Sequence, residues 1–109
     1  MPQHWIDAGR ASELAPGRMK RIDANGRRVL LANVGGQFYA ADDTCTHEDA
    51  SLSTGSLQGA CVKCPLHGSR FSVCTGEALE DPAEQNLRTY PVRLEGERIL
   101  IALREAGTP

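Results

Sequence analysis

Apolar and polar positions along this 109-residue chain alternate in short runs, with turn-forming residues between them. The runs that read as strands are HWIDA (4–8), RMKRID (18–23), RRVLLANV (27–34), QFYAAD (37–42), LRTYPVRL (87–94) and RILIAL (98–103). Val29, Leu31 and Val34 alternate roughly with their neighbours, as do Val92, Leu94, Ile99 and Ile101, and a period of two predicts half-buried strands. Pro16-Gly17, Asn25-Gly26, Gly35-Gly36 and Glu95-Gly96 fall between the runs. An Asn-Gly pair supplies the positive φ angles of a tight hairpin. No long helical period is present, and SEL (12–14) predicts a single helical turn at most. The pattern predicts an all-β fold, a small antiparallel barrel or sandwich.

From about Asp43 to Pro82 the alternation breaks down. This stretch is rich in Gly, Ser, Thr, Cys and His and offers little apolar surface of its own. A segment of roughly forty such residues does not easily order itself by burial, so either it is loose or something other than a core holds it, and the cysteine–histidine pairs point to the second. The whole chain has the length of a single domain with a modest core, which a metal centre tying loops together would support.

Charge and composition narrow the partners. A formal net charge of -2 and a pI near 5.9 argue against nucleic acid, which calls for a basic face. No apolar run approaches a membrane span. The opening residues MPQHWIDAGR carry no signal-like apolar stretch, so the chain is expected in the cytoplasm. In that reducing compartment a set of cysteines is more often a metal or redox site than a disulfide framework.

The chain holds four cysteines and three histidines, and four of the seven fall into two clips. Cys45 and His47 form Cys-x-His, Cys64 and His67 form Cys-x-x-His, and sixteen residues separate the clips. Thiolate and imidazole donors suit zinc or iron–sulfur, whereas calcium and magnesium take oxygen. Pro65 stiffens the second loop, and Gly68 permits a tight backbone path beside His67. Structural zinc clips usually begin with a cysteine pair, but spacing alone leaves zinc and iron–sulfur both open.

The longer pattern goes further. CTHEDASLSTGSLQGACVKCPLHGSRF resembles the two cluster-binding boxes of the Rieske iron–sulfur family. GEALEDP resembles that family's proline-containing loop, and LRTYPVRLEGERILIAL its closing hairpin. The resemblance implies a Rieske fold in one domain, residues 1–109, with a cluster-binding subdomain inserted at about 43–82. It implies one 2Fe-2S cluster, with Cys45 and Cys64 on one iron and His47 and His67 on the other. It implies an electron carrier between a flavin-dependent NAD(P)H ferredoxin reductase and a terminal oxygenase, in particular a ring-hydroxylating dioxygenase. Such carriers are soluble and often monomeric. With every iron coordination position filled, and no acid/base pair or nucleophile constellation in the chain, the expectation is a carrier and not an enzyme.

Replacing two thiolates by neutral imidazoles removes negative charge, which places Rieske centres at roughly -150 to +300 mV against about -400 mV for plant-type ferredoxins. High-potential members have a further cysteine in each box, joined as a disulfide; here Ala50 and Leu66 stand at those positions. Ser69 stands where a serine donates toward cluster sulfur, but Phe71 replaces the tyrosine that does the same. Glu48 and Asp49 add negative charge beside His47. Together these predict the negative end of the range.

The remaining candidates have plainer readings. His4 sits in an ordinary edge-strand context, Trp5 reads as a core or lid residue, and Arg70 as a surface or loop ion-pair partner. Cys61 and Cys74 read as free thiols facing each other on strands flanking the second loop. Leu66 reads as an apolar lid or partner contact, and Glu48 with Asp49 as a docking edge. Three alternatives remain beside the carrier: a Rieske-like small subunit of a larger oxidoreductase such as nitrite reductase, a zinc-stabilised structural module, and an iron–sulfur sensor. No second domain accompanies the motif to support the last.

Overall fold

Val29-Leu30-Leu31-Ala32 is apolar at successive positions, and the strand that carries it is covered on both faces. In the computed structural model, residues 4–24, 26–44, 51–65, 69–79 and 86–103 are described. Among the described residues ten strands follow one another: β1 (His4–Arg10), β2 (Met19–Ala24), β3 (Arg27–Val34), β4 (Gln37–Asp42), β5 (Ser56–Gln58), β6 (Cys61–Lys63), β7 (Arg70–Ser72), β8 (Thr89–Tyr90), β9 (Val92–Glu95) and β10 (Arg98–Leu103). They form three antiparallel sheets in the orders β1-β10-β9, β2-β3-β4-β8 and β5-β6-β7. Single 3-10 turns occur at Ala11–Glu13 and Leu52–Thr54. Among the described residues no helix is long and apolar enough to cross a membrane.

The alternation of side chains along β3 divides the interior in two. Val29 and Leu31 pack into a base core with Ala40, Ile99, Ile101 and Leu103. Leu30 and Ala32 point the other way, into a second core with Leu52, Val62, Cys64 and Phe71. The expectation of a half-buried β3 is therefore corrected: Val29 through Asn33 are all buried. Both alternating sets are apolar, so both faces can be covered. Burying a leucine contributes about 1.5–3 kcal/mol, and β3 does so on each side.

LRTYPVRL is one run in the sequence and two strands in the structure. Pro91 has no amide to give to a ladder. The chain leaves β4 at Tyr90 and joins β10 from Val92, while the Pro91 carbonyl accepts from the Ala102 amide at 2.9 Å. The break lets one segment stitch two sheets together. On the base, the Arg98 guanidinium donates to Asp7 Oδ2 at 2.7 and 2.9 Å, tying β10 to β1. Trp5 is half-buried on β1, with the Arg93 guanidinium 4.5 Å over its ring.

The middle of the chain also departs from expectation. Its strands β5, β6 and β7 form a sheet of their own, with Val62 opposite Phe71 and both fully buried. Three-residue strands are too short to show a period, but each places an apolar residue at its centre: Leu57, Val62, Phe71. Burial against β3 holds this region, because Leu52, Val62, Phe71 and Val73 share the core of Leu30. Close backbone approaches complete it. A Cβ at Gly55 would meet the Lys63 carbonyl oxygen at 2.0 Å, and one at Gly76, whose φ is +80°, the Leu87 carbonyl oxygen at 2.2 Å.

Candidate metal centre

The structure describes the residues that flank each clip at its base. The first clip falls between Thr44 and Ser51, which form an isolated bridge. The second lies inside the β6–β7 hairpin: Lys63 pairs with Arg70, and the Cys64 amide donates to the Ser69 carbonyl at 2.7 Å. The two bases are neighbours. Leu52, next to Ser51, shares a core with Val62 and Cys64, and Gly55 presses on the carbonyl of Lys63.

Of the four expected ligands, Cys64 is described. Its thiol is free and the residue is 2% exposed. Cys45, His47 and His67 lie outside the described residues, as do Glu48, Asp49, Ala50, Leu66 and Gly68. Among the described residues no three potential metal ligands converge. Across the hairpin from Cys64, Ser69 is fully buried, and its Oγ has no hydrogen-bond partner among the described residues. Phe71 is fully buried in the core of Cys64. Arg70 is half-buried on β7 and engaged.

Sequence reasoning passed over Asp43, which organises the neck of the first reversal. It is fully buried. Its Oδ1 accepts from the Ser53 amide at 2.8 Å, and its Oδ2 accepts from the Ser51 hydroxyl. Its carbonyl accepts from the Leu52 amide at 2.6 Å, and its amide donates to the Arg28 carbonyl at 3.0 Å. The available signal was an acid two residues before Cys45, with the hydroxyls of Ser51 and Ser53 beyond the reversal. Next to it, Asp42 accepts from the Tyr90 hydroxyl, to which Arg27 donates at 3.4 Å. Burial raises the Tyr90 phenol above its usual range, and the Asp42 carboxylate adds to the effect.

Cys61 and Cys74 are free thiols, as expected, but they are half-buried and do not pair across the sheet. The register sets Cys61 opposite Ser72. Cys74 follows the end of β7 and packs on the same core as Tyr39 of β4, and its nearness raises the Tyr39 phenol. A two-residue offset in the register separates the thiols that the sequence brought together.

Residues 4–91 match the family model of the Rieske [2Fe-2S] domain. The ferredoxin component of a naphthalene 1,2-dioxygenase system from Pseudomonas aeruginosa is 45% identical over 103 residues, 94% of this chain and 99% of that one. A chain in the complex of reduced oxygenase and oxidized ferredoxin of carbazole 1,9a-dioxygenase superposes with a TM-score of 0.89 at 38% identity, covering 93% of this chain and 94% of that chain. A putative NADH-dependent nitrite reductase small subunit from Mycobacterium tuberculosis gives 0.86 at 25% identity, covering 97% and 100%.

Proposed function

The chain belongs to the Rieske [2Fe-2S] domain family, and we propose that within it this protein is the ferredoxin of a multicomponent ring-hydroxylating dioxygenase system. It carries single electrons and is not itself an enzyme. Cys45, His47, Cys64 and His67 hold its one 2Fe-2S cluster, in a subdomain of about residues 43–82. When bound, the cluster supplies a one-electron store whose mixed sulfur and nitrogen ligation sets its potential above that of all-cysteine ferredoxins.

One observation carries the assignment. Ser69 Oγ is a fully buried hydroxyl without a partner among the described residues, directly across the hairpin from the buried, free thiol of Cys64. A buried donor left unsatisfied costs about 1–3 kcal/mol, so such a group calls for a partner. A cluster sulfur held by the same loop is an acceptor of the right kind. Thiolate with imidazole is likewise the donor set of this cluster, and the residues fit the group.

The chain's own residues do the rest. Cys64 is enclosed by Leu30, Leu52, Val62 and Phe71, which keep water from the thiolate side. The imidazoles of His47 and His67 are the route for electrons to a partner. With Phe71 in place of a hydroxyl donor, the potential lies at the negative end of the Rieske range. A flavin-dependent reductase supplies the electrons, and a terminal oxygenase receives them through a small, transient interface. The protein works in the cytoplasm as a monomer.

The second reading, a small subunit of nitrite reductase, has its counterpart in the fold match at 25% identity. The 45% and 38% identities to ferredoxins favour the carrier. Iron and acid-labile sulfide in equal amounts, and an EPR signal of low mean g-value after dithionite reduction, are the expected results. A colourless zinc protein overturns the assignment. His47→Cys should shift the signal and lower the potential, and an unchanged spectrum removes His47 from the ligand set.

A further inference from the structure

We propose that Asp43 is a positioning and potential-setting residue of the centre, a buried carboxylate that closes the first ligand loop and opposes reduction. The inference rests on the reading that Cys45 and His47 are ligands. Asp43 is fully buried, yet both carboxylate oxygens take hydrogen bonds from neutral donors, the Ser53 amide and the Ser51 hydroxyl. Those bonds satisfy the oxygens without neutralising the charge. A buried charge with neutral partners is costly, which raises the question of what it does here.

Its position says what that is. Asp43 precedes Cys45 by two residues, so their Cα atoms lie within about 7 Å of each other. The donors come from the far side of the reversal, so the carboxylate spans the neck that Thr44 and Ser51 bridge. A unit charge about 12 Å from a redox group, at an effective dielectric near 20, changes a one-electron equilibrium about tenfold. The charge is fixed and dry, and salt screens it little, unlike charges on the surface.

The test uses the full-length holoprotein. In Asp43→Asn the side-chain carbonyl still accepts from the Ser53 amide, and the Ser51 hydroxyl can turn to accept from the new amide, so the charge goes and the clamp stays. Voltammetry should show reduction favoured about tenfold, about 59 mV upward for a one-electron couple, at low and high salt alike. Ser51→Ala keeps the charge and removes a donor; it should leave the potential near wild type and speed iron loss to a chelator. Asp43→Ser is a second neutral variant with the same readout, should Asp43→Asn not fold. A wild-type potential in a neutral variant with an intact EPR signal overturns the role of Asp43 alone. A wild-type protein without that signal overturns the ligand reading and this inference together.

Discussion

Leu30 and Leu31 are adjacent in sequence and equally buried, yet they belong to different halves of the molecule. Leu31 faces the base, where β1, β10 and the outer strands close a core that is aliphatic apart from Tyr90. Leu30 faces the β5-β6-β7 side, where the core includes Cys64 and lies beside the buried Asp43 and Ser69. The base is closed by longer strands, with one register shift in the β1–β10 pairing between Asp7 and Arg10. The other side is built from three-residue strands and buried polar groups, among them Asp43 and Ser69. The first half is a scaffold that needs hydrophobicity alone, and the second spends stability to position chemistry.

The largest test separates the two cores. Leu30→Ala and Leu31→Ala should each cost about 2–5 kcal/mol in denaturant unfolding, since both leave cavities in packed surroundings. Leu30→Ala alone should also speed iron loss to a chelator under native conditions. Equal iron loss in both variants would dissolve the distinction between the halves.

A smaller effect is expected from Phe71→Tyr. The ring packs with Cys64, and a hydroxyl donated to a cysteine sulfur should favour the reduced state by about 1 kcal/mol, read as a higher potential. Unchanged voltammetry would show that the ring edge points away from the centre, and would undercut the hydrogen-bond argument for the proposed low potential.

The smallest effect sharpens the comparison from the base. The Gly9 amide and then the Arg98 guanidinium hold the Asp7 carboxyl below its usual 3.8. A lowered folded value means the contribution is present above that pH and is lost as pH falls through the folded value. Asp7→Asn should therefore flatten the acid end of the stability profile slightly and leave the reduction potential unmoved. A shift in potential would mean that the base and the centre are electrostatically coupled.

Much of the scaffold was legible. β3, β4 and β10 begin and end where the alternation and the Gly turns put them, at 27–34, 37–42 and 98–103. The two Cys/His clips could be picked out because residue type and local spacing are written in the chain; of their four residues the structure describes Cys64, and the ligand set stands as a proposal. β5, β6 and β7 were not, because three residues hold less than two periods of a strand and their burial is supplied by Leu30 from elsewhere in the chain. Cys61 and Cys74 misled for a related reason: their partners depend on a register that no local pattern sets. Pro91 was visible in LRTYPVRL, but that it would hand the chain from one sheet to another was not.

By itself the sequence determined the class of fold, the family and the donor types offered to a cluster, since each depends on local chemistry and short-range period. The tertiary structure alone decided that β3 is covered twice, that Ser69 and Cys64 are both buried at the foot of one hairpin, and that Asp43 is dry. Burial is a property of what packs on a residue from distant parts of the chain, and no window of neighbours contains it.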